Sequence, residues 1–310
     1  MEQFLKYFYN IYVEHVFKAY DNYYFYYNDC LYQIVENFRM KEELKDINEI
    51  VLVLKKYNYP VSEIIFNNFG NIISNYDSIN YVLLKVNANT SKDVEILDMI
   101  KIQDLISLNN RYNKLYRNNW GDLWEKKIDY FEYQIKELGH DKAIILNSFS
   151  YFVGMAENAI SIVNNTSLKK YSINKLTLSH KRINYPNMEI DYYNPLNFII
   201  DLNVRDISEY LKSMFFYSDI ADVLNNLSLY LEKVKMTEYE ANMLYGRLLY
   251  PSFYFDIYES VIEDKKDEEE LLPIINKVKE YELFLKKTYI LLSKYYRLER
   301  VEWIMNKKEL

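Results

Sequence analysis

A single cysteine, Cys30, stands among 310 residues. It excludes an intramolecular disulfide and fits a reducing, cytoplasmic setting. Glycine and proline are scarce, five of each, which disfavours a turn-rich β fold and favours helices with short connections. No basic tract is present. The 38 Lys and Arg are dispersed among 45 Asp and Glu, for a net charge of −7. That balance argues against a polyanion, so nucleic acid is not an expected partner. The best apolar run, Leu196 to Ile200, is far too short to span a bilayer. Glu2 near the start, with no basic stretch leading into an apolar core, gives no signal-peptide pattern.

What the chain does have is apolar bulk and tyrosine. Half of it is apolar or aromatic, which excludes global disorder, and its length suffices for two lobes and a substantial core. The 34 Tyr, with many Asn, Lys and Ile, match the A/T-rich codons of a low-GC genome. Tyrosine in half-buried places packs its ring and wets its hydroxyl, so the excess reads as packing and not as a base-stacking surface.

Periodicity divides the chain. Met1 to about Tyr20 reads as an amphipathic helix, with Phe4, Phe8, Ile11, Tyr12 and Phe17 near one stripe. Tyr23–Tyr27 and Leu31–Glu36 read as strands joined by an Asn28-Asp29 turn, and Lys41–Tyr57 as a helix stopped before Pro60. Val61–Phe66, Gly70–Ser74 and Tyr81–Val86 read as further strands, with a turn at Asn75–Asp77. From about Thr90 the pattern is helical: Val94–Leu115, Trp120–Leu138, Asp141–Asn164 with a possible break at Gly154, then Asp206–Phe216, Asp219–Lys233, Thr237 to about Tyr250, and Pro273–Met305 with possible breaks. Thr237 with Glu240 is a capping box, Gly246 and Pro251 mark a bend, and the charged stretch 263–270 reads as a solvated linker.

One stretch organises the rest, Leu178 to Ser213. Thr177, Leu178 and Ile183 face Met188, Ile190, Tyr192 and Tyr193 across Asn184-Tyr185-Pro186-Asn187, which predicts a short hairpin over 177–193. Asp206 with Glu209 predicts a helix start, with Asp206 as its cap. His180, Asn187, Asp191 and Asp206 within this stretch resemble the catalytic segment of the aminoglycoside-phosphotransferase and choline-kinase-like family. The style is that of the spore-coat-associated kinase-like branch of Gram-positive bacteria. That family carries a His-Gly-Asp loop, an Asn five residues beyond the loop Asp, a metal-binding Asp at the end of the next strand, and an Asp opening a helix. Here His180 stands at the loop His, Lys181 at Gly, and Arg182 where the catalytic Asp belongs. Asn187 keeps the spacing, and Asp191 and Asp206 take the metal and helix positions. Residues 127–134 and 151–160 are similar to large-lobe helices of the same group.

The resemblance implies an α+β, protein-kinase-like two-lobe fold. It places residues 1–88 in a small lobe of a helix plus antiparallel strands, and residues 89–310 in a helical lobe that includes the hairpin. It also implies a pseudokinase, because an arginine stays protonated and cannot accept a substrate's proton. No glycine-rich loop joins the first two expected strands, and Val35-Glu36-Asn37 stand where the nucleotide-gripping Lys belongs. No cofactor is then expected, and the partner is an unknown protein or small molecule. Two alternatives stand beside this reading: an active small-molecule phosphotransferase using ATP and magnesium, and a module holding another ligand between the lobes. Spore-coat or envelope association follows from the resemblance alone.

Each candidate also has a plainer use. His180 reads as a strand histidine donating to a backbone carbonyl, Arg182 as the partner of Asp191 or Asp206, and Asn187 as a turn residue. Asp191 and Asn187 supply too few oxygens by themselves for a hard divalent cation. Glu157, between Val153 and Ile160, reads as a buried carboxylate paired inside the core. The three His and Cys30 lack zinc-ligand spacing, and no nucleophile elbow, Walker loop or dinucleotide fingerprint occurs.

Overall fold

The computed structural model describes residues 1–19, 22–87, 94–106, 111–168, 175–186 and 188–306. In chain order its elements begin with α1 (Glu2–Tyr9), β1 (Phe17–Ala19), β2 (Asn22–Tyr27), β3 (Cys30–Glu36), α2 (Lys41–Lys56), β4 (Glu63–Ile65), β5 (Ser74–Tyr76) and β6 (Ile79–Lys85). There follow α3 (Ile96–Leu105), α4 (Trp120–Leu138), α5 (Ala143–Leu168), β7 (Leu176–His180), α6 (Glu189–Tyr192), β8 (Phe198–Leu202) and α7 (Arg205–Phe215). The rest is helical: α8 (Ile220–Lys233), α9 (Glu238–Leu249), α10 (Ser252–Ile262), α11 (Leu272–Asn276), α12 (Val278–Leu292) and α13 (Glu302–Met305).

The chain divides into two compact units, Met1–Tyr116 with Leu176–Asp201, and Arg117–Lys175 with Leu202–Leu310. The expected boundary after residue 88, with the 177–193 segment in the helical lobe, is therefore displaced. The physical reason lies in the contacts. Helix α3 packs on β7, and the Arg39 side chain donates to the carbonyls of Leu196 and Phe198, so the first unit takes the central segment to itself.

In the first unit, α1 ends early because Asn10 adopts the left-handed conformation, φ 53°. The Asn10 and Ile11 amides then turn back to the Lys6 and Leu5 carbonyls, which closes the helix. The helix expected to reach Tyr20 is thus one of eight residues, followed by the edge strand β1. The turn between β2 and β3 has both Asn28 and Asp29 at positive φ (49° and 58°), the backbone that lets strands cross with their native twist. A second such turn at Asp77 and Ser78 (φ 50° and 65°) joins β5 to β6. It moves the expected strand from 70–74 to Ser74–Tyr76. Asn67 organises the displaced loop, its Oδ1 accepting from the Phe69 and Asn71 amides. The sheet runs β1-β2-β3-β6-β4, with β5 also on β6, every pair antiparallel. Alternation puts Phe25, Ile34, Tyr81 and Leu83 on one face, where Phe4, Leu5, Tyr9 and Ile11 cover them. Each such ring or aliphatic side chain contributes about 1.5–3 kcal/mol by leaving water.

The hairpin expected within 177–193 does not form. β7 pairs with β8 in a two-stranded sheet, and Met188 to Tyr192 closes a helical turn, the Tyr192 amide donating to the Met188 carbonyl at 2.7 Å. Pro195 then opens a 3-10 turn capped by Asn194, whose side chain accepts from the Leu196 amide. Strand character passes to the fully buried run Phe198-Ile199-Ile200-Asp201-Leu202.

The second unit is helical. α4 has the expected bounds, and α5 runs unbroken through Gly154. α10, which the periodicity leaves unassigned, packs aromatics inward: Tyr254 stacks on Phe152 with centroids 3.8 Å apart, and Phe255 on Phe131 at 4.9 Å. The capping box forms as expected, the Thr237 amide donating to Glu240 at 2.7 Å and the Glu240 amide to Thr237 Oγ1 at 3.2 Å. The stretch 263–270 is more than a solvated linker. The Glu268 carboxylate accepts from the Ile144 and Ile145 amides at the start of α5, and Lys142 pairs with Asp264 at 3.0 Å.

Candidate functional site

The candidate site is the segment from β7 to β8. His180 ends β7 and is fully buried. Its Nε2 donates to the Tyr192 carbonyl at 2.9 Å, so the proton sits on Nε2. Its ring stacks on Tyr192, centroids 4.2 Å apart, and meets Phe198 edge-on at 5.3 Å. The Lys181 amide donates to the Asn197 carbonyl, and the Asn197 side chain to the Asp191 carbonyl, both at 2.9 Å. Lys181 and Asn197 are therefore tied together where β7 stops and β8 starts. His180 adjoins that tie.

Arg182 lies on the exposed side of the loop, its Nη1 donating to the Lys181 carbonyl at 3.3 Å. Asn187 lies outside the described residues. Asp191 falls in α6 and not at a strand end. The residue is exposed, while protein packed around its carboxyl pushes its pKa upward by desolvation. Solvent screens that effect, and the exposure is the better guide, so it adds little to stability. Asp206 does not cap α7. Val204 holds the cap position, and Asp206 is the second residue of the helix, fully buried, because the cap falls two residues early. Glu157 is exposed, not buried: on α5 it shares the outer stripe with Ser161 and Asn165, while Ala156, Ala159 and Ile160 point inward.

Three features were missed in the sequence. Asp201 stands near the end of β8, fully buried. The strand that follows the loop is β8 and not 188–193, so the resemblance's rule for the metal Asp selects Asp201 in place of Asp191. The run Phe198-Ile199-Ile200 ahead of it was the available signal. The second is Gln33. The strand before α2, β3, contains neither Lys nor Arg, and its fully buried polar position is this neutral amide, which donates to the Tyr24 hydroxyl at 2.9 Å. The third is Arg39, ahead of α2. Its Nε and Nη2 donate to the Leu196 and Phe198 carbonyls at 2.8 and 2.5 Å, and its Nη1 meets Glu43 at 3.4 Å. Glu43 is thus paired to an arginine one turn away. Among the described residues, no group of three or more His, Cys, Asp or Glu is arranged to hold a metal ion.

The second unit has a charged centre of its own. Glu209 of α7 meets Arg247 Nε at 2.9 Å and Lys212 Nζ at 3.1 Å, all three buried. The Arg247 guanidinium lies over the Trp120 ring, 4.5 Å from its centroid, and Lys212 also donates to Ser252 Oγ at 2.8 Å.

Solved structures share the fold. An aminoglycoside phosphotransferase from Alicyclobacillus acidocaldarius superposes with TM-score 0.65 over 91% of this chain and 93% of its own, at 7% identity. Spectinomycin phosphotransferase in complex with ADP and spectinomycin gives 0.60 over 94% and 97%, at 10% identity. This chain shares their kinase-like fold, with a small antiparallel sheet lobe and a larger, mostly helical one. The endospore coat-associated protein YutH of Bacillus subtilis is 30% identical over 188 residues, 54% of each chain, so the match spans about half the length of that relative. Residues 2–288 match the family described as spore coat putative kinase YutH, and the chain belongs to that family.

Proposed function

We propose that this chain is a pseudokinase, a non-catalytic binding or scaffolding member of its family. The observation that carries the reading is Arg182 at the loop position where a phosphotransferase keeps its proton-accepting Asp. A guanidinium holds its proton at any working pH and accepts none. The nucleotide side supports the same reading. Phosphate-gripping chemistry needs a cation on the strand before the helix and close backbone approach. β3 offers Gln33 instead, and the first glycine of the chain is Gly70, beyond every strand that would carry a phosphate loop. The donor set does not fit ATP with magnesium, and no catalytic step is assigned through them. Because the Bacillus subtilis relative is endospore coat-associated by name, the partner we favour is a spore-coat protein.

A second reading, active phosphotransfer, is favoured by one residue. Asp201 keeps a buried carboxylate near a strand end, where the resemblance puts a metal ligand. Incubation of the purified protein with γ-labelled ATP, magnesium and aminoglycosides, with label carried onto the aminoglycoside as the readout, separates the two. The pseudokinase reading expects no transfer above a no-protein control. Transfer that Asp201→Asn abolishes would establish the second reading.

A further inference from the structure

In an active kinase-like small lobe, the strand lysine and the helix glutamate pair around the bound nucleotide, which helps set where the helix lies. This chain lacks that lysine, yet α2 is fastened at both ends. At its start, Asn37 shapes the entry by donating to the Arg39 carbonyl and accepting from the Arg39 amide. The Arg39 guanidinium then spans to the Leu196 and Phe198 carbonyls on either side of Asn197, and reaches Glu43 with its remaining edge. Beyond the far end of α2, the Ser62 amide donates to the Tyr193 carbonyl at 3.0 Å, and the Tyr59 and Tyr193 rings meet at 5.9 Å. His180 is bonded to the Tyr192 carbonyl, and Asn197 to the Asp191 carbonyl.

We infer that Arg39 is a positioning residue that locks α2 onto the loop-to-β8 junction without any ligand, so that α2 is a fixed strut in this protein and not a helix set by nucleotide. The chemistry suits arginine alone. Two carbonyls and a carboxylate around one planar group match the directions of a guanidinium, whereas a lysine ammonium is a single point at the end of a flexible stem. The partners are mostly backbone carbonyls, so the lock does not depend on the charge of Glu43. The inference does not rest on the absence of phosphotransfer; a protein that bound ATP elsewhere would still carry the lock.

Hydrogen exchange of the full chain tests it, because local opening shows as lost amide protection in the segment that opens. Arg39→Met is expected to speed exchange tenfold or more in the first two turns of α2 and in residues 196–201. Exchange in β2 and β3 should stay within twofold. Glu43→Gln, which keeps both carbonyl bonds, is expected to change α2 by less than threefold. Should Arg39→Met fail to fold, Arg39→Lys is read in its place, with the same local loss expected. Unchanged α2 exchange in the Arg39 variant overturns the lock. So does a Glu43→Gln effect equal to that of Arg39→Met, which would make the ion pair the fastening. In the wild type, ATP with magnesium is expected to leave α2 exchange unchanged; added protection there would overturn ligand independence. Transfer of phosphate from ATP without that protection would remove the pseudokinase reading and leave this one standing.

Discussion

The two units each bury an arginine and use it differently. Arg39 in the first unit spends its guanidinium mainly on backbone carbonyls, with Glu43 at the longer distance of 3.4 Å. Arg247 in the second unit is held by a carboxylate at 2.9 Å and by the Trp120 ring. A carbonyl partner cannot be removed by side-chain mutation, whereas Glu209 can. The first arrangement fixes a loop to a helix; the second ties α7 to α9 and leaves its charges mutually dependent. Buried ion pairs of that kind add little net stability when intact and cost much when broken.

Alkali should blur that contrast, because it strikes both units together. Burial pushes Tyr9 of the first unit and Tyr254 of the second up to about 12. It raises Tyr230, Tyr245 and Tyr281 as well. The sign follows directly. A folded pKa above the unfolded value of 10 favours the neutral phenol, so the stabilisation is complete below pH 10 and is lost as pH rises towards 12. Cooperative unfolding between pH 10 and 12, with buried phenolate absorbance appearing only as the fold is lost, is the expected outcome in a spectroscopic titration.

Mutation should restore the contrast. Glu209→Ala strands Arg247 and Lys212 in the interior and is expected to cost about 3–5 kcal/mol in chemical denaturation. Glu43→Ala leaves Arg39 its two carbonyls and should cost about 1 kcal/mol, the worth of one side-chain partner. Equal losses at the two sites would erase the distinction between them. Thr237→Ala removes the cap of α9 and should cost about 1 kcal/mol. Arg182→Ala, on the exposed side of the loop, should stay within about 0.5 kcal/mol, because the proposed role of Arg182 is to lack a function there.

Much of the fold was legible in the sequence because its signals were local. Asn28-Asp29 between two alternating runs specifies a tight hairpin, and Thr237 with Glu240 a helix start, wherever they occur. The central segment was less legible because its order is tertiary. Met188 to Tyr193 alternates well enough for a strand, but His180 draws the Tyr192 carbonyl and Pro195 opens a turn, so the strand forms ten residues later. That one shift moved the candidate metal carboxylate from Asp191 to Asp201. Glu157 was misplaced for a related reason: its flanking apolar residues did reach the core, but it lies just past the edge of that face. The partners of Arg39 lie 157 and 159 residues away in sequence, and no local pattern announces them.

On the proposed pseudokinase reading, this kinase-like chain has lost its nucleotide chemistry at Arg182 and β3. The most direct test of that reading is the thermal midpoint of the wild type and of Arg182→Asp, each with and without ATP and magnesium, since a ligand that binds the native state raises the midpoint by mass action. The account predicts no nucleotide-dependent shift in the wild type. A magnesium-dependent rise of several degrees in the wild type would contradict it.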